Sequence, residues 1–371
     1  MMGCALLSWL EIWRGRAFAG LAAASSFANQ IRTPMTDQTH RLGPAEIQHA
    51  IDTKTKPVGA LGRIETLAAQ IAAFRNSLTP RVESCILTIF AADHGIAHEG
   101  VSAYPQEVTA QMVLNFLAGG AAANVFAATQ NVPVQVVDAG IAGAPIAHPD
   151  LLSHRIAAGS ASFLNGPAMT RDQLANALAH GAEIARKTTA DALAFGEMGI
   201  ANTASASMLL HKLSGLDLHG LVGRGTGVDD AALAHKRRIL EQAAARCPQD
   251  MTPDAILAEY GGFEIVMMAG AMQEAAETGR LVLVDGFIAT AAAAAALARA
   301  PHIRPAMIFC HCSQEAGHRA ALEWLGASPL LDLDMRLGEG TGAVLAWPLV
   351  RAASAMLCDM ASFESAGVST G

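Results

Sequence analysis

Residues 336–350 read RLGEGTGAVLAWPLV, and this stretch guides the interpretation of the whole chain. Three glycines, at positions 338, 340 and 342, surround Glu339 and Thr341, and an apolar run of helical character follows at once. The pattern predicts a carboxylate on a tight loop at the start of a helix. Glycine permits positive φ and close approach of a ligand, and unpaired N–H groups at a helix N-terminus favour an anion. Glu339 is therefore either a helix cap or a catalytic group.

Short apolar runs of strand length alternate with helical patterns along the rest of the chain. Each run ends in glycine and polar residues. The alternation predicts βαβ units, a parallel sheet and an α/β fold, and ligands bind such sheets at the carboxyl ends of the strands. The predicted strands cover residues 85–91, 132–137, 192–195, 281–284 and 306–310.

Two further polar loops follow this pattern. GEMGIANT (196–203) is a second loop in which glycine and a carboxylate precede a helix. GRGTGVDD (223–230) precedes His235 and Lys236, so its backbone amides and Lys236 could bind a phosphate. The alternative for the second loop is a plain turn before a solvated helix that carries Lys236, Arg237 and Arg238.

The adjacent residues Asp93 and His94 follow the first predicted strand. A metal-dependent hydrolase would need both on one side, but neighbours on an extended backbone point in opposite directions. The sequence therefore favours a structural contact between the histidine and a carboxylate.

Composition excludes several classes of protein. The chain has 371 residues, 52% of them hydrophobic and 16% charged, which indicates a folded chain of one large domain or two. A formal charge of −8 disfavours a nucleic-acid partner. Neither GRGTG nor GEGTG continues into a dinucleotide fingerprint, and the chain has no G-x-x-x-x-G-K-[ST] motif, so NAD-binding and nucleotide triphosphatase chemistry are disfavoured.

The six cysteines lack the spacing of a disulfide framework, which fits a reduced, cytoplasmic setting. Cys310, His311, Cys312 and His318 could suggest a zinc site, but the spacing is unusual and a strand end with incidental thiols is the simpler interpretation. We expect neither a metal nor a cofactor. No uninterrupted apolar run reaches the length of a membrane span, and residues 290–296 indicate a tightly packed helix.

Residues 1–34 differ in character from the rest. Glu11 and Arg14 interrupt the apolar residues there, so a secretory signal is disfavoured. We expect an extension upstream of a functional start at Met35.

Nine segments, in order from about residue 44 to residue 367, resemble the nicotinate-nucleotide:dimethylbenzimidazole phosphoribosyltransferase family. They are TKPVGALGRIE (55–65), AADHGIAHEGVSAYPQEVTAQM (91–112), VVDAGI (136–141), GEMGIANT (196–203), GRGTGVDD with HK (223–236), EYGGFEI (259–265), LVDGFIATAA (283–292), HCSQEAGH (311–318) and RLGEGTGA (336–343).

The resemblance implies a homodimeric enzyme of cobalamin lower-ligand assembly. Such an enzyme transfers phosphoribose from nicotinate mononucleotide to 5,6-dimethylbenzimidazole, giving α-ribazole 5′-phosphate and nicotinate. The implied fold is a Rossmann-like parallel sheet flanked by helices in a large α/β catalytic domain, residues 81–340. Residues 35–80 and 341–371 would form a small helical domain.

The reaction needs one carboxylate. The leaving nitrogen of nicotinate mononucleotide is already a pyridinium, so the bond can break without a general acid. A base that removes the proton from the second ring nitrogen of the attacking benzimidazole prevents positive charge from accumulating there. Attack from the opposite face inverts C1′ from β to α.

The resemblance assigns roles to particular residues. Glu339 matches the catalytic base, and Glu197 lies in the loop of the phosphoribosyl pocket, where a positioning role is expected. Tyr104 and Met112 stand in the base-binding loop, where an aromatic ring and a thioether favour a flat apolar ligand. The remaining candidates for binding phosphate and ribose are Gly199, Asn202, Thr203, Gly225, Gly227, Lys236, Ser313, Gly338 and Gly340.

One departure from the family pattern is Ala201, which stands where glycine is usual. Any strained backbone there is then either absent or tolerated. Two rival functions stay open: a nucleotide-binding oxidoreductase, which would bind NADH tightly, and a protein that binds benzimidazoles or nicotinate nucleotides without turnover.

Overall fold

The computed structural model describes residues 41–225, 227 and 229–369, and it contains the parallel sheet that the apolar runs predict. All five strand pairings are parallel. The expected extension at residues 1–34 lies outside the described residues. The strands are β1 (Cys85–Ala92), β2 (Val134–Gly140), β3 (Leu151–Ser153), β4 (Ala192–Met198), β5 (Leu281–Val284) and β6 (Met307–Phe309).

The strands lie in the order β3-β2-β1-β4-β5-β6. The chain first builds the sheet outward from β1 to β3 and then returns to place β4 on the other side of β1. This is the order of a doubly wound sheet, in which a crevice opens at the carboxyl ends where the direction of winding reverses. The α/β class with a Rossmann-like sheet is confirmed.

Helices cover both faces of the sheet, and two short 3₁₀ helices occur at Gly95–Glu99 and Pro301–Ala306. The α-helices are α1 (Pro44–Asp52), α2 (Arg63–Arg75), α3 (Glu107–Leu117), α4 (Ala122–Thr129), α5 (Arg171–Lys187), α6 (Asn202–Ser214), α7 (Leu218–Leu221), α8 (Asp230–Ala245), α9 (Pro253–Tyr260), α10 (Phe263–Glu277), α11 (Phe287–Arg299), α12 (His318–Trp324), α13 (Thr341–Asp359) and α14 (Phe363–Ala366).

Side chains of the central strands alternate between two hydrophobic cores. In β5, Val282 and Val284 pack with α5, α6, α10 and α11, whereas Leu281 and Leu283 pack with α1, α2, α3, α4 and α13. Because both faces are covered, these strands are apolar throughout rather than alternating with polar residues. The alanine-rich stretch predicted to pack tightly lies in α11, where residues 287–296 are all buried.

Both chain ends of the described part contribute to the second core. α1 and α2 pack with α13, and Lys54 Nζ donates hydrogen bonds to the carbonyls of Leu357 (2.8 Å) and Met360 (2.7 Å). Residues 42–371 group into one compact unit by their contacts. The separate helical domain over residues 35–80 and 341–371 stays a prediction.

Two helical stretches, Glu107–Thr129 and Thr341–Asp359, are long and apolar enough to cross a membrane by length and composition alone. Neither is an uninterrupted apolar run, because polar residues such as Gln111 and Arg351 interrupt them. The first is divided into α3 and α4, and the second is α13, which is mostly buried in the core. Their apolar character is thus accounted for in part by packing within the fold.

Candidate active site

A cavity of about 490 Å³ opens at the carboxyl ends of β4, β5 and β6. Eleven of the thirteen candidate residues line it, although they come from six separate segments of the chain. Gly227, which is exposed, and Gly340, which is buried, are not among its lining residues. The candidates brought together are Tyr104, Met112, Glu197, Gly199, Asn202, Thr203, Gly225, Lys236, Ser313, Gly338 and Glu339.

Glu339 lies immediately before α13 and has the left-handed backbone conformation, with φ of 62°. Its side chain lines the cavity, and the residue is only 6% exposed. Within the described part of the chain, the buried Oε2 has no hydrogen-bond partner. Burial raises the pKa of this carboxyl, and the backbone N–H of Ala123 in the first turn of α4 opposes the rise. A buried carboxylate with a free oxygen is poised to accept a proton from a ligand.

Gly340 gives this loop a backbone conformation that other residues would not adopt easily. It has φ of 84°, and a Cβ at this position would lie 2.3 Å from Leu87 Cδ1. Its N–H donates to Asp285 Oδ2 at 3.2 Å. Gly340 therefore allows the chain to turn tightly beneath Glu339, and its expected role in binding substrate stays a prediction.

Asp285 is a functional candidate that the sequence analysis did not select. It follows β5 directly, and Oδ1 accepts a hydrogen bond from Ala343 N (2.9 Å) in the first turn of α13. Burial, partly opposed by these amides, raises the pKa of Asp285 to about 7. The carboxyl anchors the start of α13, the helix that follows Glu339 and Gly340. Its place directly after an apolar strand is a signal in the sequence, but other acids at strand ends, such as Asp93 and Asp138, share that signal.

Glu197 lies at the end of β4, and its Oε2 accepts a hydrogen bond from Asn202 Nδ2. Burial, together with the nearby charges of Glu264 and Asp285, raises its pKa to about 8, and the hydrogen bond from Asn202 opposes the rise. Glu197 and Asp285 thus place negative potential inside the cavity whenever both are ionised. A cationic group bound there would favour the ionised forms.

The loop after Glu197 is held in a strained conformation. Ala201 has φ of 74°, so the strained backbone is present and alanine tolerates it. Gly199 has no room for a side chain, because a Cβ would lie 2.5 Å from the carbonyl oxygen of Ala92. The loop is tied to α3 by a hydrogen bond from Ile200 N to Thr109 Oγ1 at 3.1 Å. These contacts fix the backbone that opens α6 toward the cavity.

A buried cation lies on another wall. Lys236 is 1% exposed, and its Nζ donates to Thr203 Oγ1 at 2.8 Å. Burial lowers the pKa of Lys236 to about 8, and the carboxylate of Glu315 opposes the shift. Arg336, which the sequence analysis did not select, donates from Nη1 to the carbonyl of Gly225 at 3.1 Å and also lines the cavity. Together these groups suit a phosphate.

Part of the cavity lining is apolar. Tyr104, 51% exposed, lies at the mouth of the cavity, and Met112 projects from α3 with Val108 nearby on the same helix. Met198 and Leu337 complete this apolar part. Side chains of this kind form a slot for a flat heterocycle.

His94 forms the predicted structural contact with a carboxylate, and its partner is Glu264. Its Nε2 lies 2.6 Å from Glu264 Oε1, and both side chains are fully buried. The nearby carboxylate of Glu264 raises the pKa of His94 against the effect of burial. The pair lies directly behind Gly199 and supports the loop from beneath.

The segment after β6 contributes His311 and Ser313 to the cavity. The buried Nε2 of His311 has no hydrogen-bond partner in the part of the chain that the structure describes, and burial lowers its pKa. No group of three or more metal-ligand side chains capable of holding a metal ion occurs among the described residues, including Cys310 and Cys312. The arrangement as a whole combines one candidate base, three further carboxyls (Glu197, Asp285 and Glu315), a group of cationic side chains and a set of apolar ones.

Comparison with known proteins gives a consistent result. A family model described as Phosphoribosyltransferase matches residues 37–368. The nicotinate-nucleotide–dimethylbenzimidazole phosphoribosyltransferase of Cupriavidus necator is 52% identical over 341 residues, covering 91% of this chain and 97% of that protein. The protein of the same name from Aromatoleum aromaticum is 53% identical over 327 residues, covering 87% of this chain and 95% of its own.

A solved structure is also similar. The crystal structure of CobT from Thermus thermophilus superposes with a TM-score of 0.86 at 47% sequence identity. The match covers 88% of this chain and 99% of that one.

Proposed function

The chain belongs to the phosphoribosyltransferase family that includes the nicotinate-nucleotide–dimethylbenzimidazole enzymes, and from this premise we propose how its cavity performs that transfer. The protein is a glycosyltransferase that moves phosphoribose from nicotinate mononucleotide to 5,6-dimethylbenzimidazole. The products are α-ribazole 5′-phosphate and nicotinate, and the step builds the lower-ligand nucleotide of cobalamin.

The observation that carries the assignment of a base is the buried Oε2 of Glu339, which lies at the cavity wall and has no hydrogen-bond partner among the described residues. Glu339 accepts the proton from one benzimidazole nitrogen while the other nitrogen attacks C1′. Its pKa is raised by burial, and a base with a pKa nearer to the working pH is more effective than an ordinary carboxylate. No general acid is required, because nicotinate leaves from a pyridinium.

Glu197 and Asp285 stabilise positive charge during the transfer. The ribosyl carbon gains cationic character as the glycosidic bond breaks, and the substrate already carries a pyridinium. Preorganised carboxylates in a buried site stabilise both the cationic ribosyl carbon and the pyridinium. Asn202 orients Glu197 through its hydrogen bond, and Asp285 orients α13 through Gly340 and Ala343.

The phosphate of the nucleotide lies against the cationic wall. Lys236 and Thr203 supply donors there beside the backbone of Gly225, with Ser313 and Arg336 at its border. The loop glycines Gly199 and Gly338 let the ribose approach the backbone closely. Tyr104 and Met112 face the flat heterocycle.

We further propose that the enzyme acts as a cytoplasmic homodimer, as the resemblance of its sequence to the family implies. Residues 35–80 and 341–371 would form the small helical domain of each protomer. Sedimentation at several concentrations tests the dimer, since a monomer at micromolar concentration would contradict it.

The test of the function uses purified protein, nicotinate mononucleotide and a panel of bases, with products identified by mass. We expect nicotinate release only when a benzimidazole is present. Nucleotide binding without turnover would instead indicate a silent binding protein, and tight NADH binding with hydride transfer would indicate an oxidoreductase.

Replacing the proposed base separates chemistry from binding. Glu339→Gln should lower kcat by about 10²–10⁴-fold, with the dissociation constant of nicotinate mononucleotide, measured by calorimetry, changed less than about threefold. Glu364→Gln, at an exposed position, is the matched control and should resemble the wild type. Equal loss of turnover and nucleotide binding in Glu339→Gln would show that the glutamate is structural.

A further inference from the structure

His318 is a buried histidine that the proposed reaction does not use. It begins α12, its side chain is fully buried, and its ring packs edge-on to Phe287 with centroids 6.1 Å apart. Phe287 lines the cavity, whereas His318 does not. The ring therefore acts on the site only through its neighbours.

Two hydrogen bonds define the tautomer of His318. The backbone N–H of Ser313 donates to Nδ1 at 2.8 Å, so Nδ1 must carry a lone pair. The ring proton then lies on Nε2, which donates to Thr290 Oγ1 at 2.9 Å. Burial lowers the pKa of His318 to about 3, which keeps the ring neutral and preserves this arrangement near neutral pH. The imidazole thus links the segment after β6 to α11.

The link determines what Ser313 presents to the cavity. The backbone N–H of Ser313 donates to the imidazole of His318, which lies outside the cavity lining. This N–H is therefore not directed into the cavity. Ser313 Oγ accepts a hydrogen bond from Glu315 N at 3.2 Å, which leaves the hydroxyl proton for a partner in the cavity. Without His318, the segment loses the acceptor that fixes this orientation.

The neighbourhood of Ser313 indicates the nature of that partner. Burial raises the pKa of Glu315, two residues on, and the nearby charges of Lys236 and Arg336 oppose that rise. The Ser313 hydroxyl therefore borders the cationic wall of the cavity. A hydroxyl donor beside two cations suits an anionic oxygen of a phosphate.

We propose that His318 is a positioning residue that acts through Ser313, holding its hydroxyl so that it donates to the phosphate of the nucleotide substrate. The inference rests on the proposed function for the identity of that nucleotide. It adds a second layer to the binding site, from α11 through the imidazole to the segment after β6.

A pair of conservative substitutions tests the hydrogen bond itself. In His318→Asn, the amide oxygen can take the place of Nδ1 and accept from Ser313 N–H. In His318→Gln, the longer side chain can reach Thr290 but places no acceptor at Nδ1. We expect His318→Gln to raise both the KM and the calorimetric Kd for nicotinate mononucleotide about tenfold, with kcat within about twofold of the wild type. His318→Asn should stay within about twofold in all three.

A double-mutant cycle asks whether the effect passes through Ser313. Ser313→Ala alone should raise KM and Kd about as much as His318→Gln, and adding His318→Gln to Ser313→Ala should change either value by less than about twofold. Additive losses in the double variant would overturn the proposal, as would equal behaviour of the Asn and Gln variants. A fall in kcat at unchanged KM would also overturn it.

A second variant keeps the proposal testable if the first does not fold. If His318→Gln does not fold, Thr290→Val removes the second partner of the imidazole and should raise the Kd for the nucleotide at least threefold; an unchanged Kd would contradict the proposal. The binding measurements need no turnover. A wild-type protein that binds nicotinate mononucleotide without transferring phosphoribose would refute the proposed reaction and leave the His318 result to be decided by Kd alone.

Discussion

At the scale of single residues, backbone strain is concentrated at the cavity. Five non-glycine residues in the described part of the chain have positive φ, and three of them are Asn or Asp, which tolerate this conformation. The other two are Ala201 and Glu339, and both line the cavity. Strained residues of this kind persist where the surrounding structure holds them for function.

Ala201 allows the strain to be measured. Its left-handed conformation costs an alanine about 1 kcal/mol or more relative to glycine, while its buried methyl group returns part of that amount. We expect Ala201→Gly to leave the free energy of unfolding unchanged or to raise it by up to about 1 kcal/mol, as measured by urea denaturation.

Ala204→Gly is the matched control for Ala201→Gly. Ala204 is also buried but lies in the right-handed part of α6, so glycine there should lower the free energy of unfolding by about 1 kcal/mol. Equal destabilisation by both substitutions would show that Ala201 carries no strain.

At the scale of elements, apolar run length located the strands and missed one. Five predicted runs correspond to β1, β2, β4, β5 and β6 with ends shifted by up to three residues. β3 has three residues, Leu151–Ser153, of which two are exposed, so it offers neither a long run nor a clear alternation. A short edge strand is defined by pairing with β2, which no local pattern contains.

The site was predictable to the extent that strand ends determine it. Loops that follow β4 and β6 reach the cavity as expected, because parallel strands place their carboxyl ends at one edge. The contributions of Asp285 and Arg336 depend on contacts with residues 58 and 111 positions away along the chain. Such contacts arise from the tertiary arrangement, so the sequence pattern did not distinguish these residues from other strand-end acids and loop cations.

Carboxyls collected at the ends of β4 and β5 predict how stability depends on pH. The pKa of Glu197 is raised to about 8 and that of Asp285 to about 7. Between pH 6.5 and 8, the folded protein therefore keeps protons that the unfolded chain has released, and stability falls as pH rises. The loss is at most about 1.4 kcal/mol per pH unit for each such proton. Below pH 6.5, histidines with lowered pKa values such as His318 bind protons more readily in the unfolded chain, so their contribution to stability rises with pH.

Glu197→Gln tests whether Glu197 contributes to the fall in the free energy of unfolding between pH 6.5 and 8. Glutamine does not titrate, so the free energy of unfolding, measured by urea denaturation at several pH values, should decline less steeply between pH 6.5 and 8 than in the wild type. The exposed substitution Glu364→Gln should keep the wild-type slope. A slope that is the same in Glu197→Gln and the wild type would show that Glu197 releases its proton at similar pH in both states.

At the scale of the whole molecule, the described chain ends are joined across the second core. Lys54 pairs through a β-bridge with Ser362, in addition to its hydrogen bonds to the end of α13. The helix that starts beside Glu339 is thereby fixed at its far end by residues near the beginning of the described chain. Stability of the active site and packing of α1 should consequently be linked.

Two truncations test where the functional chain begins. The family model starts at residue 37 and the compact unit at residue 42, so a chain beginning at Met35 should keep kcat/KM within about twofold and its Tm within about 2 °C of the full chain.

A chain beginning at Thr53 lacks α1, whose Ile47 and Ile51 are buried, and removal of two such side chains costs several kcal/mol. Its Tm should fall by about 5 °C or more, by differential scanning calorimetry. Loss of activity in the Met35 chain would assign a function to residues 1–34, and an unchanged Tm in the Thr53 chain would mean that α1 does not support the core.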